Sequence, residues 1–156
     1  MNEIDDLESL FLHDIPLIDT RAPVEFSKGS LPLASNLPLM IDEEREAVGI
    51  CYEQKGQAAA IRLGHELVNG ARKAERLNQW IHFSQQHPDG ALFCFRGGLR
   101  SEITQSWLEE HGIRYPRIRG GYKAMRRWLI DAVERTCTHT PLLLLGGKTG
   151  SAKTRV

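Results

Sequence analysis

Residues 91–101 read A-L-F-C-F-R-G-G-L-R-S, and this stretch decides the fold that we predict. The short apolar run from Ala91 to Phe93 is typical of a buried strand, and after Ser101 the apolar residues recur at helical spacing. Between the two, Cys94 lies in a loop with two glycines and two arginines. A strand, a glycine-bearing turn and a helix start bring consecutive backbone N–H groups together beside the positive end of the helix dipole. The stretch therefore predicts an anion-binding loop that contains a cysteine.

Cys94 is the candidate catalytic residue of this loop. A free thiol has a pKa of about 8.5, and a helix N-terminus or neighbouring arginine side chains lower it substantially. Arg96 and Arg100 supply such side chains, so we predict a thiolate at neutral pH. The alternative is an inert core cysteine, because cysteine is among the most buried residue types. We favour the nucleophile, since an arginine pair and a glycine pair around an inert thiol would have no explanation.

Composition and charge limit the class of protein. A chain of 156 residues fits one domain, with room for a fragment of another. Its apolar fraction of 41% and charged fraction of 26% are those of an ordinary soluble globular protein. The formal net charge is zero, so contact with nucleic acid or a membrane would need a local patch of charge.

Cysteine spacing and the apolar runs point to a cytoplasmic protein. Cys51, Cys94 and Cys137 form no CxxC pair, which fits neither a disulfide framework nor a zinc site and favours reduced thiols. The acidic N-terminus lacks the basic start and apolar segment of a signal peptide. No apolar run approaches the ~20 residues of a transmembrane helix. We therefore expect a cytoplasmic protein with no metal site, no cofactor and no membrane partner.

Strand and helix patterns alternate along the chain, which predicts an α/β fold with a mostly parallel central sheet flanked by helices. Strands are predicted at Pro16–Asp19, Ala34–Leu37, Ala91–Phe93, Tyr115–Ile118 and Pro141–Leu145. Helices are predicted at Asp5–Leu12, at Val24–Ser30, in three segments between Asp42 and His87 with breaks at Gly56 and Gly70, at Ser101–His111, and from Gly120 to about Thr136. Asp19 and Arg21 would then lie at the carboxyl edge of the sheet.

The C-terminal tail, residues 146–156, nearly matches the phosphate-binding pattern G-x-x-x-x-G-K-[ST] through Gly147, Lys153 and Thr154. Ala152 stands where the pattern has its second glycine. The sequence also stops before the helix whose N-terminus would hold the phosphates. We expect a domain at 1–139, the start of a truncated P-loop domain at 140–156, and no working nucleotide site.

Two stretches resemble the rhodanese fold family. Residues 18–38, I-D-T-R-A-P-V-E-F-S-K-G-S-L-P-L-A-S-N-L-P, look like its N-terminal signature. Cys94 falls where that family has its persulfide cysteine, and Gly120-Gly121 matches the glycine pair before its last helix. The resemblance implies a rhodanese-like three-layer fold.

A narrower resemblance is to tRNA 2-selenouridine synthases. It rests on L-P-L-M at residues 37–40, E-R-x-A-V-G-x-C-Y at 44–52, C-x-R-G-G-x-R-S, G-G-Y-K-A and the P-loop that follows. That family joins an N-terminal rhodanese domain to a C-terminal P-loop domain. Its activity, replacement of sulfur by selenium in 2-thiouridine at the tRNA wobble position, is implied here, with selenophosphate as donor and an S-geranylated intermediate made from geranyl diphosphate.

The resemblance also implies roles for individual residues. By position, Cys94 would hold selenium in a selenylsulfide-type intermediate. The anion would be bound by the residues that follow it, namely Phe95, Arg96, Gly97, Gly98, Leu99, Arg100 and Ser101. We expect selenophosphate as a partner, weak binding of tRNA by this chain, and geranyl diphosphate only through the missing domain.

Other residues have supporting or open roles. Asp19 and Arg21 are expected to pair and brace the active-site edge. Cys51 is either a relay thiol or a structural cysteine, and we assign nothing to Cys137. A basic cluster interleaved with aromatic residues either holds tRNA phosphates or is a solvated helix face. It comprises Arg114, Arg117, Arg119, Lys123, Arg126 and Arg127, with Tyr115, Tyr122 and Trp128.

Three other functions stay open. Cys-x5-Arg is also the loop of cysteine-dependent phosphatases and arsenate reductases, although Phe93 replaces the histidine that commonly precedes that cysteine and no aspartate is placed as a general acid. A thiosulfate sulfurtransferase would use the same nucleophile. A vestigial rhodanese module would fold without any catalysis.

Overall fold

The structure is a computed structural model that describes residues 2–141 together with residues 148 and 149. Gly147, Lys153 and Thr154 lie outside the described residues, as does most of the strand predicted at Pro141–Leu145. The chain divides into two compact units, Met1–Met125 and Arg126–Val156. The domain boundary expected after residue 139 therefore stays a prediction.

A single sheet of five strands forms the centre of the first unit. The strands are β1 (Glu3–Ile4), β2 (Leu17–Asp19), β3 (Ala34–Asn36), β4 (Ala91–Phe93) and β5 (Arg117–Ile118). They lie in the order β1-β5-β4-β2-β3, and every neighbouring pair is parallel. β1 was not predicted, because two residues are too few to show a period.

Seven helices are present in the described part of the chain. They are α1 (Leu7–Leu12), α2 (Pro23–Ser27), α3 (Asp42–Lys55), α4 (Gln57–Leu67), α5 (Gly70–Gln86), α6 (Leu99–Glu109) and α7 (Gly121–His139). Gly56 separates α3 from α4 with a φ of +78°, a conformation that favours glycine. The predicted α/β class with a parallel sheet, rhodanese-like in type, is confirmed. No helix within the described ranges is long and apolar enough to cross a membrane.

The core lies between the central strands and the helices that pack on them. Ile18 and Leu92 are fully buried in β2 and β4. Both faces of these strands are covered, which explains why short apolar runs form them. Ile18 and Leu92 join a cluster with Trp80 of α5 and Trp107 of α6, whose rings are 6.0 Å apart. These contacts fix α6, and with it the loop that leads into it.

Strand order places the two sequence signatures side by side. β2 and β4 are neighbours in register, with Asp19 opposite Phe93. The backbone N–H and the hydroxyl of Thr20 both donate to the carbonyl of Phe93, at 2.9 Å each. The residues that follow β2 and the residues that follow β4 therefore meet at the carboxyl edge of the sheet, where ligands bind in open α/β sheets.

The glycine pairs let two loops touch backbone to backbone. Gly97, Gly120 and Gly121 all have positive φ, of +66°, +73° and +58°. A Cβ at Gly121 would lie 2.1 Å from the carbonyl oxygen of Cys94 and 2.6 Å from the amide nitrogen of Gly97. That same carbonyl accepts a 2.9 Å hydrogen bond from the backbone N–H of Tyr122. The cysteine loop is thus packed directly on the start of α7.

We expect Gly121→Ala to lower the free energy of unfolding by about 3 kcal/mol or more, because it adds a clash with two backbone atoms to an unfavourable φ. Urea unfolding measures the difference. Gly49→Ala is the matched control, since a Cβ there meets nothing within 4 Å, and alanine in a helix should stabilise the protein by about 0.5–1 kcal/mol. A Gly121→Ala protein as stable as the parent would contradict this packing.

Candidate active site

Cys94 is the first residue after β4 and is 4% exposed. Its Sγ lies 3.3 Å from the Oγ of Ser101 and 3.7 Å from the carbonyl oxygen of Gly98. The hydroxyl of Ser101 also lies 2.8 Å from the Gly98 carbonyl and donates to it. The sulfur is therefore held against the first turn of α6, with a hydroxyl group that can accept from a thiol or, after rotation, donate to a thiolate.

The loop after the cysteine presents N–H groups that the fold itself does not use. Among the described residues, the backbone N–H groups of residues 95–101 donate to no other backbone group. The first N–H groups of any helix lack an intrahelical acceptor, and α6 begins at Leu99. Such a set of N–H groups at a helix N-terminus is suited to bind an anion.

A cavity of about 610 Å³ opens over Cys94. Its lining is rich in cationic side chains, and Glu25 is the one carboxylate residue among its described lining residues. The lining consists of Arg21, Glu25, Lys28, Gly29, Arg45, Cys94, Phe95, Arg96, Gly98, Leu99, Arg100 and Tyr122. Because cations outnumber the single carboxylate, the charge of the cavity favours an anionic ligand.

Arg100 is held by Glu25, and this pair was not expected from the sequence. Its two terminal nitrogens lie 2.5 and 3.1 Å from the two carboxylate oxygens. Burial lowers the pKa of Arg100, but the hydrogen bond and charge of Glu25, with a further contribution from Cys94, raise it overall. Arg100 is thus a fixed cation close enough to Cys94 for their charges to interact.

The carboxylate of Glu25 interacts with other groups besides Arg100. Its Oε2 accepts from the backbone N–H of Ala22 at 3.1 Å and lies 3.2 Å from the Nε of Arg45. Burial raises the pKa of Glu25, but the hydrogen bond and charge of Arg100, with Ala22 and Arg45, lower it below its usual value. At neutral pH this carboxylate is therefore ionised.

Two further arginines that line the cavity, Arg96 and Arg21, differ in burial and in their partners. Arg96 is exposed and, within the described part of the chain, makes no ion pair or hydrogen bond. Arg21 forms a fully buried ion pair with Asp19 at 2.6 Å and donates to the carbonyl of Gly29. Its guanidinium carbon lies 3.8 Å from the centre of the Tyr122 ring, a favourable cation–π arrangement. Asp19 and Arg21 thus form a pair, of which Arg21 lines the cavity, and their role in supporting the site stays a prediction.

A larger groove adjoins the anion cavity. It has a volume of about 730 Å³ and is lined mainly by apolar side chains of α3, α4 and α6, including Val48, Ile61 and Ile103. This groove and the cavity over Cys94 share four lining residues, namely Arg45, Arg96, Leu99 and Arg100. A substrate larger than a small anion would therefore have room beside Cys94.

Comparison with known proteins identifies relatives over nearly the whole chain. No family model matches. The chain is 58% identical to the tRNA 2-selenouridine synthase of Marinobacter nauticus over 154 residues, or 99% of its length. It is 60% identical over 152 residues to the enzyme of the same name from Bordetella bronchiseptica. The predicted resemblance to tRNA 2-selenouridine synthases is confirmed.

The chain spans about two fifths of the length of these synthases, covering 42% of the first and 41% of the second. A solved structure has the same fold with a TM-score of 0.70, at 26% identity over 83% of this chain and 99% of its own. It is the N-terminal domain of a Clostridium difficile protein that is named for ATP or GTP binding.

Part of the basic cluster predicted from the sequence makes contacts within the described residues. Arg117 forms ion pairs with Glu3 at 2.6 Å and Glu102 at 2.7 Å. Arg119 pairs with Glu3 and Asp5, and Tyr115 is 2% exposed. Arg117, Arg119 and Tyr115 are therefore engaged within the fold, and the two alternatives for the cluster as a whole, tRNA phosphates or a solvated helix face, stay predictions.

The remaining cysteines are Cys51 and Cys137. Cys51 is half-buried on α3 and lines a different pocket of about 340 Å³ between α3 and α4. Cys137 is exposed on α7. Across the described residues, no three His, Cys, Asp or Glu side chains are grouped so as to hold a metal ion. The role of Cys51 as a relay thiol stays a prediction.

We expect Glu25→Gln to lower the free energy of unfolding at pH 7 by about 2 kcal/mol, because it removes the charge-assisted part of a bidentate pair. Since the pKa of Glu25 is lowered in the fold, this stability is present above the unfolded-state value of about 4.3 and is lost as the pH falls through the folded-state value.

Urea unfolding at a series of pH values measures the effect, and the two proteins should converge in acid. The control is Glu75→Gln, an exposed carboxylate on α5, which should follow the parent at every pH. A difference between parent and Glu25→Gln that is independent of pH would show that the charge of Glu25 contributes nothing.

Proposed function

We propose that this chain is the chalcogen-transferring part of a tRNA 2-selenouridine synthase. In this proposal Cys94 is the nucleophile that activates selenophosphate, and the selenium replaces the sulfur of 2-thiouridine in tRNA. One observation carries the proposal: Cys94 lies below a cationic cavity at the N-terminus of α6. The substrate assignments follow the names of the relatives.

The anion would be bound by several groups together. The N-terminus of α6 and the unused loop N–H groups supply donors, and Arg96 and Arg100 supply positive charge. The planar fork of Arg96 can donate two hydrogen bonds to neighbouring oxygens of one phosphate group. The terminal nitrogens of Arg100 already donate to Glu25, so Arg100 contributes mainly positive charge. Asp19 and Arg21 would support the cavity edge, since both are buried and paired.

The acceptor would approach from the larger groove, which shares four lining residues with the anion cavity. The geranyl step that the resemblance implies is not assigned to any residue of this chain. Binding of tRNA is expected to be weak here, because two of the predicted basic residues are neutralised by ion pairs.

A cysteine-dependent phosphatase is the competing function that the loop itself favours. It would need a general acid to protonate an alcohol leaving group. Glu25 is the carboxylate residue nearest to that role in the cavity, and its lowered pKa keeps it ionised. We therefore expect little Cys94-dependent hydrolysis of phosphotyrosine, and rapid hydrolysis would favour the phosphatase.

We expect selenophosphate to produce a covalent adduct on Cys94 that intact-protein and peptide mass spectrometry detect. Cys94→Ser should abolish it, whereas Cys51→Ser and Cys137→Ser should leave it unchanged, because neither residue lines the cavity. An adduct with thiosulfate alone would instead favour a thiosulfate sulfurtransferase, and a protein that forms no adduct with either donor would favour a non-catalytic module.

Arg100→Met should slow adduct formation about a hundredfold, since it removes a preorganised charge from the anion site. Arg114→Met is the matched control, because Arg114 is exposed and does not line the cavity. The rate of adduct formation under excess selenophosphate, followed by quenched mass spectrometry, tests this pair. Equal rates for the two variants would remove Arg100 from the site.

A further inference from the structure

We propose that the larger groove binds the geranyl chain of an S-geranylated 2-thiouridine, while the cavity over Cys94 stays open to the selenium donor. The inference rests on the proposed function for the identity of the nucleoside. It deepens that function by giving a binding site to the chain of the intermediate that the resemblance implies. It concerns binding alone and adds no reaction step. The groove would thereby favour the geranylated acceptor over the unmodified 2-thiouridine.

The groove begins at the loop that is suited to bind an anion. Leu99, Ile103 and Trp107 of α6 line the groove, and their spacing of four residues places them in one row along the helix. Leu99 is the first residue of α6 and also lines the cavity over Cys94. At a rise of about 1.5 Å per residue, the row is about 12 Å long. An extended geranyl chain fits within that length.

Apolar side chains of the groove are accessible to solvent. Among the described large apolar side chains, Ile50, Tyr52 and Leu99 are 48%, 58% and 42% exposed, and all three line the groove. Its volume of about 730 Å³ lies within the range of small-molecule sites, about 300–1,000 Å³. Exposed apolar side chains that cluster in a concave site are typical of a binding surface. An aliphatic chain would remove them from water.

Two helix glycines keep the groove open. Gly49 of α3 and Gly64 of α4 line it, although glycine is unfavourable inside a helix. A Cβ at Gly49 would meet nothing within 4 Å, and one at Gly64 would meet Val48 at an ordinary distance of 3.9 Å. Neither glycine has a positive φ. Packing and backbone conformation therefore do not require these glycines, whereas a ligand that fills the groove would.

The lining suits a hydrocarbon chain better than a stacked nucleobase, which needs an open aromatic face. Trp107 is 6% exposed, with the ring of Trp80 6.0 Å away and the Nζ of Lys73 4.1 Å from its own centre. Of the two large aromatic side chains in the described lining, Tyr52 is the exposed one. The other apolar side chains of the lining are aliphatic, and they match a branched chain of carbon atoms.

Charge separates the two geranyl compounds that could enter. Geranyl diphosphate would place its anionic group beside Lys28, Arg96 and Arg100, in the cavity that the selenium donor needs. The S-geranylated base carries no charge, so its chain can occupy the groove without displacing that donor. Apart from the residues shared with the cavity, the described lining of the groove includes the carboxylates of Glu46 and Glu53, which disfavour an anion there. The groove is therefore assigned to the nucleoside.

The experiment measures the affinity of this chain for a series of S-alkylated 2-thiouridine nucleosides by isothermal titration calorimetry. Each buried methylene group contributes about fourfold, and the open groove would cover only part of the chain. The S-geranyl compound should therefore bind about a hundredfold more tightly than the S-methyl compound, with the S-dimethylallyl compound between them. Affinities that do not depend on chain length would overturn the inference, and this series needs no variant.

A variant that fills the groove tests its location. Gly49→Phe should weaken binding of the S-geranyl compound about tenfold or more, with little effect on the S-methyl compound, because its ring would occupy the space of the chain. Ala58→Phe is the matched control, since Ala58 is exposed on α4 and lines neither the groove nor the cavity. Urea unfolding checks that both variants are folded. Equal binding of the S-geranyl compound by the two variants would place its chain elsewhere.

Thiophosphate, the sulfur counterpart of selenophosphate, distinguishes the two geranyl compounds. It should leave the affinity for the S-geranyl nucleoside unchanged and weaken that for geranyl diphosphate, which would share the anion cavity. Competition with the nucleoside would overturn the assignment. The selenophosphate adduct on Cys94 of the parent chain is measured in parallel. A chain that forms this adduct but binds all the nucleosides equally contradicts this inference alone, and a chain that forms no adduct contradicts the proposed function on which it rests.

Discussion

The backbone contact between the cysteine loop and the start of α7 is the constraint on which the site depends. The carbonyl oxygens of Cys94 and Phe95 accept hydrogen bonds from the N–H groups of Tyr122 and Lys123, at 2.9 and 3.0 Å. These bonds turn the carbonyl groups of the loop towards α7. Glycines at positions 97 and 121 are needed for this approach, because a Cβ on either would meet backbone atoms closer than 3.0 Å. The conformation of the loop is therefore set by covalent geometry and main-chain hydrogen bonds, and the arginine side chains add charge to a shape that already exists.

Electrostatics then decides which ligands the shape can accept. Glu25 links α2 to α6 through Arg100 and to α3 through Arg45, so three helices around the cavity share one carboxylate. A partly buried carboxylate is costly unless cations and N–H donors surround it, and Glu25 has both. The ion pair with Glu25 fixes the position of the Arg100 side chain. The negative charge of Glu25 also offsets part of the positive charge that Arg100 presents to the cavity. Arg96 remains exposed and unpaired among the described residues, so the two arginines of the loop contribute differently: one is positioned, and the other is free to move towards an anion.

The sequence alone was sufficient for the parts of the site that are local in the chain. Strand, glycine turn and helix follow one another within 91–101, so the placement of Cys94 before the N-terminus of α6 could be read from spacing. The Glu25–Arg100 pair could not, because 75 positions separate its members and many carboxylates could have reached Arg100. The ion pairs of the basic cluster could not be predicted for a related reason. Composition shows that Arg117 and Arg119 are cationic, but their partners Glu3 and Asp5 are supplied by β1 and the residue after it, and a two-residue strand has no detectable period. The groups that remain available for a ligand depend on tertiary pairing.

The same loop can support phosphate hydrolysis or chalcogen transfer, and the leaving group distinguishes the two. A cysteine beside an anion-binding loop is the expected nucleophile in either case, so Cys-x5-Arg does not select the reaction. What selects it is whether a neighbouring group can give a proton. Arg100 and Arg45 both stabilise the ionised form of Glu25, the carboxylate residue that lines the described cavity. The cations that draw an anionic donor into the cavity thereby also keep its carboxylate from acting as an acid. A site built in this way does not offer the protonated carboxyl group that would help an alcohol leave from a phosphate ester.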